Sequence, residues 1–194
     1  MGSFVSYFLR REDQIRLEND TVNSETGFSL RQQKMMRKSW DQYIRPNLID
    51  VGVETMLSLF DAYPDIKQMF PDFKDLPKDQ LKGNKKFHAH CQMIMSTINN
   101  AVDAFLNNDI QLFTMILKMT GERHAKRSSG KITADHFNRV KDPLTAVLKK
   151  RMNITWKLIS DNQNDDNVIK LWARALDQMI QIINSGIDDY KNNI

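Results

Sequence analysis

Between Phe87 and Phe105 the chain sets Phe87, His90, Ile94, Thr97, Ile98, Ala101 and Phe105 at i, i+3, i+7, i+10, i+11, i+14 and i+18. That spacing predicts one face of a long helix and commits a histidine to the face that seeks the core. A second stripe, Leu117, Thr120 and His124 at i, i+3 and i+7, places another histidine on the inward face of the next helix, beyond a break at Asn107, Asn108 and Asp109. Imidazole shut away from water needs a partner for each ring nitrogen. A metal would supply one such partner. From spacing alone, a core histidine satisfied by a backbone carbonyl remains the competing reading for both residues.

The rest of the chain is also patterned for helices. Met35, Met36, Ser39, Trp40 and Tyr43 share a face, and Pro46 then marks a break or the first turn of a new helix. Leu48, Val51, Thr55, Met56, Leu59 and Phe60 form the next stripe, up to Tyr63 and Pro64, where the proline suits the opening turn of a short helix. Phe137, Val140, Leu144, Val147, Leu148 and Arg151 predict one more helix, with a kink expected at Pro143. The polar run from Asp161 to Asn167 reads as a loop, with Asp166 or Asn167 capping a last helix that carries Val168, Leu171, Trp172, Ala175, Met179, Ile182 and Ile183 inward. Gly186 is read as its end. The fold class is therefore all-α. Residues 1–29 are read as an N-terminal extension, 30–187 as the domain and 188–194 as a C-terminal tail.

Composition narrows the function classes. The 194 residues carry a net charge of +4, but acidic residues are interspersed with the basic ones, which argues against a nucleic-acid-binding stripe. No apolar run approaches the roughly 20 residues of a membrane-spanning helix. The single cysteine, Cys91, excludes an intrachain disulfide framework and a cysteine-rich zinc site, and suits a reducing, cytoplasmic setting.

Several of these signals, taken in order, resemble the globin family, over roughly residues 30–187. Trp40 is similar to the tryptophan of the first globin helix. Leu59-Phe60-Asp61-Ala62-Tyr63-Pro64 followed by Phe70 resembles the stretch in which a proline opens the third helix and a phenylalanine stacks on haem. Phe87-His88-Ala89-His90 with Met95, Ile98, Ala101 and Val102 is similar to the distal helix of neuroglobin-like members. Leu117-Lys118-Met119-Thr120-Gly121-Glu122-Arg123-His124 looks like the proximal helix, and Trp172 matches the last one. The interval of 34 residues, 124 minus 90, fits the two haem histidines.

The resemblance implies a globin fold, a three-over-three helical sandwich around haem b. His124 would be the proximal iron ligand and His90 the distal residue, which either ligates iron in a bis-histidyl, six-coordinate state or faces bound gas. The outer nitrogen of His124 is expected to donate to a carbonyl near Thr120 or to the Thr120 hydroxyl. Met56, Phe60, Phe70 and Ile94 are expected to form the distal wall, Phe73 and Met93 are also expected at the haem, and Ile132 and Phe137 follow the proximal histidine. Met93 stands at the haem edge where many globins carry a lysine or arginine for a propionate; Lys86, Arg123 and Lys131 are the candidates to compensate.

Function follows the same resemblance: reversible binding of O2, CO or NO with redox cycling, for sensing, signalling or redox protection. A nitric oxide dioxygenase or nitrite reductase served by a separate reductase is an enzymatic alternative, and a haem-free helical interaction module is a third class. Met1-Gly2-Ser3-Phe4-Val5-Ser6 fits an N-myristoylation start at Gly2, as in acylated globin-X-like members. One such chain gives only marginal attachment, so reversible membrane association is the expectation.

Overall fold

A computed structural model describes residues 19–128, 131–156 and 165–193. Among them the only β pairing is an isolated antiparallel bridge between Val22 and Ser29. The elements in order are α1 (Leu30–Ser39), a π-helical turn (Trp40–Ile44), a 3-10 turn (Arg45–Asn47), α2 (Leu48–Ala62), α3 (Pro64–Gln68), α4 (Lys78–Gly83), α5 (Lys85–Leu106), α6 (Ile110–Arg127), α7 (Ala134–Asn138), α8 (Lys141–Trp156) and α9 (Asp165–Asn192). The all-α expectation is met. No helix among the described residues is long and apolar enough to cross a membrane.

Helix starts follow local chemistry. Ser29 and Gln32 form a reciprocal capping box on α1. Asn84 caps α5 by accepting from the Phe87 N–H, and Asp109 caps α6 by accepting from the Leu112 N–H. The corner between α5 and α6 turns on Asn108, whose φ of 58° lies in the left-handed region that asparagine tolerates. Gln33 of α1 donates to the Asn108 side chain at 2.9 Å, so the corner is held from outside as well.

This corner sets the two histidines opposite each other. His90 lies 106 − 90 = 16 residues before the end of α5, and His124 lies 124 − 110 = 14 residues after the start of α6. At 1.5 Å per residue they sit about 24 and about 21 Å along their helices from one corner, at matching heights. Gly52 brings α2 close behind α5: a Cβ there would lie 2.9 Å from the Cys91 carbonyl oxygen and from Met95 Cγ.

The core is divided. The larger cluster joins α1, the far half of α5, α6, α8 and α9 around Trp40 and Trp172, whose rings lie 4.9 Å apart. Both indoles have partners: Trp172 Nε1 donates to Ser39 Oγ and Trp40 Nε1 donates to Asn99 Oδ1, each at 2.9 Å. The smaller cluster gathers Met56, Phe60, Ile66, Phe73, Leu81 and Phe87 from α2, α3, α4 and the near half of α5. His90 and His124 stand on the two helices that border the division.

Several expectations are corrected. Phe28, assigned to the extension, is fully buried and stacks edge-on against Phe105 at 5.4 Å. Pro143 makes no kink, because the stripe from Phe137 to Arg151 is two helices and the proline falls in the first turn of α8, where its missing N–H has no intrahelical partner to lose. Arg151 follows the inward stripe because it pairs with Glu54 of α2 at 2.6 Å. The last helix begins at Asp165, so Asp165, Asp166 and Asn167 belong to it rather than to a loop, and it runs on to Asn192. Gly186 is therefore not its end. It sits mid-helix because the backbone of α6 passes against it.

Candidate functional site

α6 delivers His124 to the site with one ring nitrogen already committed. Its Nδ1 lies 2.7 Å from the carbonyl oxygen of Thr120, one turn earlier. A carbonyl only accepts, so Nδ1 carries a proton, and Nε2 is the ring nitrogen left for another partner. The Thr120 hydroxyl is occupied elsewhere, donating to the Ile116 carbonyl at 2.7 Å. Of the two partners expected for His124, the structure selects the backbone carbonyl. Phe137 of α7 meets the imidazole edge-to-face, with ring centroids 5.1 Å apart, and so restricts its rotation.

On α5, His90 faces aromatic carbon. Its ring lies 5.4 Å from Phe70 and 6.0 Å from Phe73, and among the described residues it makes no hydrogen bond. Burial, then the nearby charges of His124 and Arg127, hold its pKa below the ordinary histidine value, so the ring is kept neutral with a free lone pair. His88, the other histidine of this turn, points elsewhere and donates through Nε2 to the Lys82 carbonyl at 2.6 Å. The choice of His90 over His88 therefore has a geometric basis.

Phe60, Phe70, Phe73 and Phe87 form a chain of ring contacts around His90, from 5.1 to 6.2 Å between centroids. Met56 and Phe60 are buried behind it, and Ile94 packs against the same cluster. A separate cavity of about 250 Å³ lies between α2, α3 and α4, touching Leu57, Phe60 and Leu81, and holds neither histidine.

The other expected residues differ in exposure and partners. Met93 is 60% exposed and points to solvent. Ile132 is half-buried just beyond α6, its N–H bonded to Ser128 Oγ. Lys86 is spent on Asp72 at 3.6 Å. Arg127, missed by the sequence reading, lies one turn beyond His124 and is the cation whose field reaches His90; its i+3 spacing from His124 was the available signal. Val140, also missed here, packs onto the distal cluster. Gly2 lies outside the described residues.

The donor set fits haem rather than a bare ion. Among the described residues no three His, Cys, Asp or Glu side chains converge on a common point. Two imidazoles on successive helices, with no third protein ligand among the described residues, suit an iron carried by an organic group of its own. Phe70 beside His90 and Phe137 beside His124 are apolar yet only half-buried, leaving carbon surface for a flat apolar group to cover.

Comparisons with known proteins bear on the fold and the family. Globin CTT-Z of Chironomus thummi thummi is 29% identical over 147 residues, covering 75% of this chain and 78% of that protein. Anaerobic nitrite reductase HBII of Casuarina glauca is 25% identical over 158 residues, covering 81% and 91%. Among solved structures, a hexacoordinated haem protein from an anhydrobiotic tardigrade superposes with a TM-score of 0.72 at 24% identity, covering 86% of this chain and 99% of that one. The Globin family model matches residues 53–183, which include the distal stretch, both histidines and Trp172. Divided core, facing histidines and family match together establish that the chain belongs to the globin family.

Proposed function

We propose that this chain holds one haem b between His124 and His90 and uses it to bind O2 or related diatomic gases and to cycle its redox state, in sensing, signalling or redox protection. The observation that carries the reading is the Nδ1 bond from His124 to the Thr120 carbonyl, which leaves Nε2 directed away from its own helix as a ligand. Haem supplies an iron that takes a diatomic ligand and exchanges single electrons.

The protein's part is orientation and exclusion. His124 Nδ1 holds its proton at Thr120 O, which makes Nε2 the more basic donor. Phe60, Phe70, Phe73, Met56 and Ile94 keep water from the distal side. His90, without a hydrogen-bond partner among the described residues, would be the second residue to hold the iron, and an external gas would then bind only to the fraction of molecules in which that position is open. The hexacoordinated tardigrade protein supports this reading. Arg127, with Arg123 and Lys131, supplies cations for the haem carboxylates in place of the basic residue absent at Met93.

A second reading is reduction of nitrite with electrons from a partner reductase, favoured by the name of the Casuarina relative. The neuroglobin-like and globin-X-like placement rests on the stretch around His90 and on the residues from Met1 to Ser6, and membrane association through Gly2 rests on the latter alone.

Titration of haem-free protein with haem tests the main reading. Wild type is expected to saturate at one equivalent with a sharp Soret band, and His124→Ala to retain little. Absence of a Soret band in the wild type would overturn it in favour of a haem-free interaction module.

A further inference from the structure

Gly121 of α6 and Gly186 of α9 meet backbone to backbone. A Cβ on Gly121 would lie 2.0 Å from the Ile183 carbonyl oxygen, and one on Gly186 would lie 2.2 Å from the Lys118 carbonyl oxygen. Both obstructing atoms are main chain, so neither position admits a side chain unless a helix moves. Leu117, Ala125 and Ile187 beside the crossing are buried, and the ion pair of Lys118 Nζ with Asp189 Oδ2, at 2.8 Å, flanks it.

We propose that this crossing is the positioning device of the proximal ligand: α9 holds α6, and with it His124, in place before haem enters. The proposal rests on the haem reading above. Gly121 precedes His124 by three residues, so at about 100° per residue the two point about 60° apart around α6. A side chain at Gly121 or Gly186 pushes α6 off α9 mostly at right angles to the direction in which His124 points. The Thr120 carbonyl that fixes the imidazole belongs to the same turn, so ring and anchor slide together across the iron. Gly121 and Gly186 are positioning residues, acting through His124. Gly83 is the natural control: it is exposed, and nothing lies within 4 Å of its missing Cβ.

The test has two arms. In the first, hydrogen exchange is followed on the wild-type protein before haem is added. Amides from Leu117 to His124 are expected to be protected to within about tenfold of those from Ile183 to Asp189. Free exchange in α6 beside a protected α9 overturns the proposal, and this arm decides the matter if the variants below do not fold. In the second, Gly121→Ala, Gly186→Ala and Gly83→Ala are each built on His90→Leu, so that the iron–histidine vibration reports His124 alone. The first two are expected to shift that band and to lose haem about tenfold faster, and Gly83→Ala to do neither. Haem uptake with unshifted bands and unchanged loss overturns the proposal while leaving the haem reading intact. A protected α6 in a wild type that takes up no haem overturns both.

Discussion

The proton on His124 is placed by Thr120: Nδ1 and the Thr120 carbonyl oxygen are 2.7 Å apart on consecutive turns of α6. Because the acceptor is main chain, the side chain of Thr120 is dispensable to the ligand. Thr120→Val removes only the hydroxyl bond to Ile116 and is expected to change stability by about 1 kcal/mol or less, with haem loss unchanged. Urea unfolding and haem-transfer kinetics check this. Loss accelerated as strongly as in a ligand variant would show that the hydroxyl is the true anchor.

Gly52 performs for the distal helix what space alone permits. With Cys91 O and Met95 Cγ both 2.9 Å from where its Cβ would stand, Gly52→Val forces α2 and α5 apart. A loss of about 3 kcal/mol is expected by urea unfolding, at the upper end of overpacking costs. A variant as stable as the wild type would mean that the two helices are not locked at this point.

Cys91 follows the distal histidine but faces the opposite way, fully buried, and burial pushes its thiol up to about 12. Thiolate is therefore scarce at neutral pH, and the group is shielded. Labelling by a thiol reagent at pH 8 is expected to be slow in the native protein and to become fast in denaturant. Rapid native labelling would place Cys91 at the surface.

Arg45 ties the turn after α1 to α5, bonding Asp103 at 3.0 and 2.5 Å and Asn99 at 2.9 Å. The hydrogen bond from Arg45 holds the Asp103 carboxyl below the ordinary carboxylate range. A depressed folded value means that the unfolded chain takes up a proton first, so this contribution is present above the ordinary value and is lost as pH falls through the lowered one. Both groups are about one-third exposed, which keeps the effect to about 1 kcal/mol. Urea unfolding at pH 7 and near pH 2 is expected to show a smaller acid loss in Arg45→Met than in the wild type; equal losses would remove Asp103 from the pH dependence.

Legibility in the sequence followed period and chemistry. The stripes through His90 and His124 were readable because one face of each helix is apolar, and the corner between them because Asn and Asp favour the turn and cap found there. Phe70 was placed on the distal side by likeness to a known pattern, and its ring lies 5.4 Å from His90; Phe73, expected at the haem without a side assigned, lies 6.0 Å from the same ring. What stayed hidden depends on contacts distant in sequence. Gly186 looks like a helix end because nothing in its neighbours announces that Lys118 passes against it. Arg151 was read as part of an apolar stripe, and the partner that accounts for a charge there, Glu54, is 97 residues away in sequence. Met93 was assigned to the exposed haem edge by its register, and its side chain is 60% exposed. Arg127 was lost among the basic residues after His124, since sequence alone does not reveal which of their charges acts on the distal histidine.

The most direct measurement is the absorption spectrum of the haem-loaded protein, reduced and free of gas. Sharp low-spin visible bands are expected in the wild type, giving way in His90→Leu to the broad band of a five-coordinate iron. A five-coordinate spectrum in the wild type would contradict ligation by His90, and an unchanged low-spin spectrum in His124→Ala would contradict the histidine pair itself.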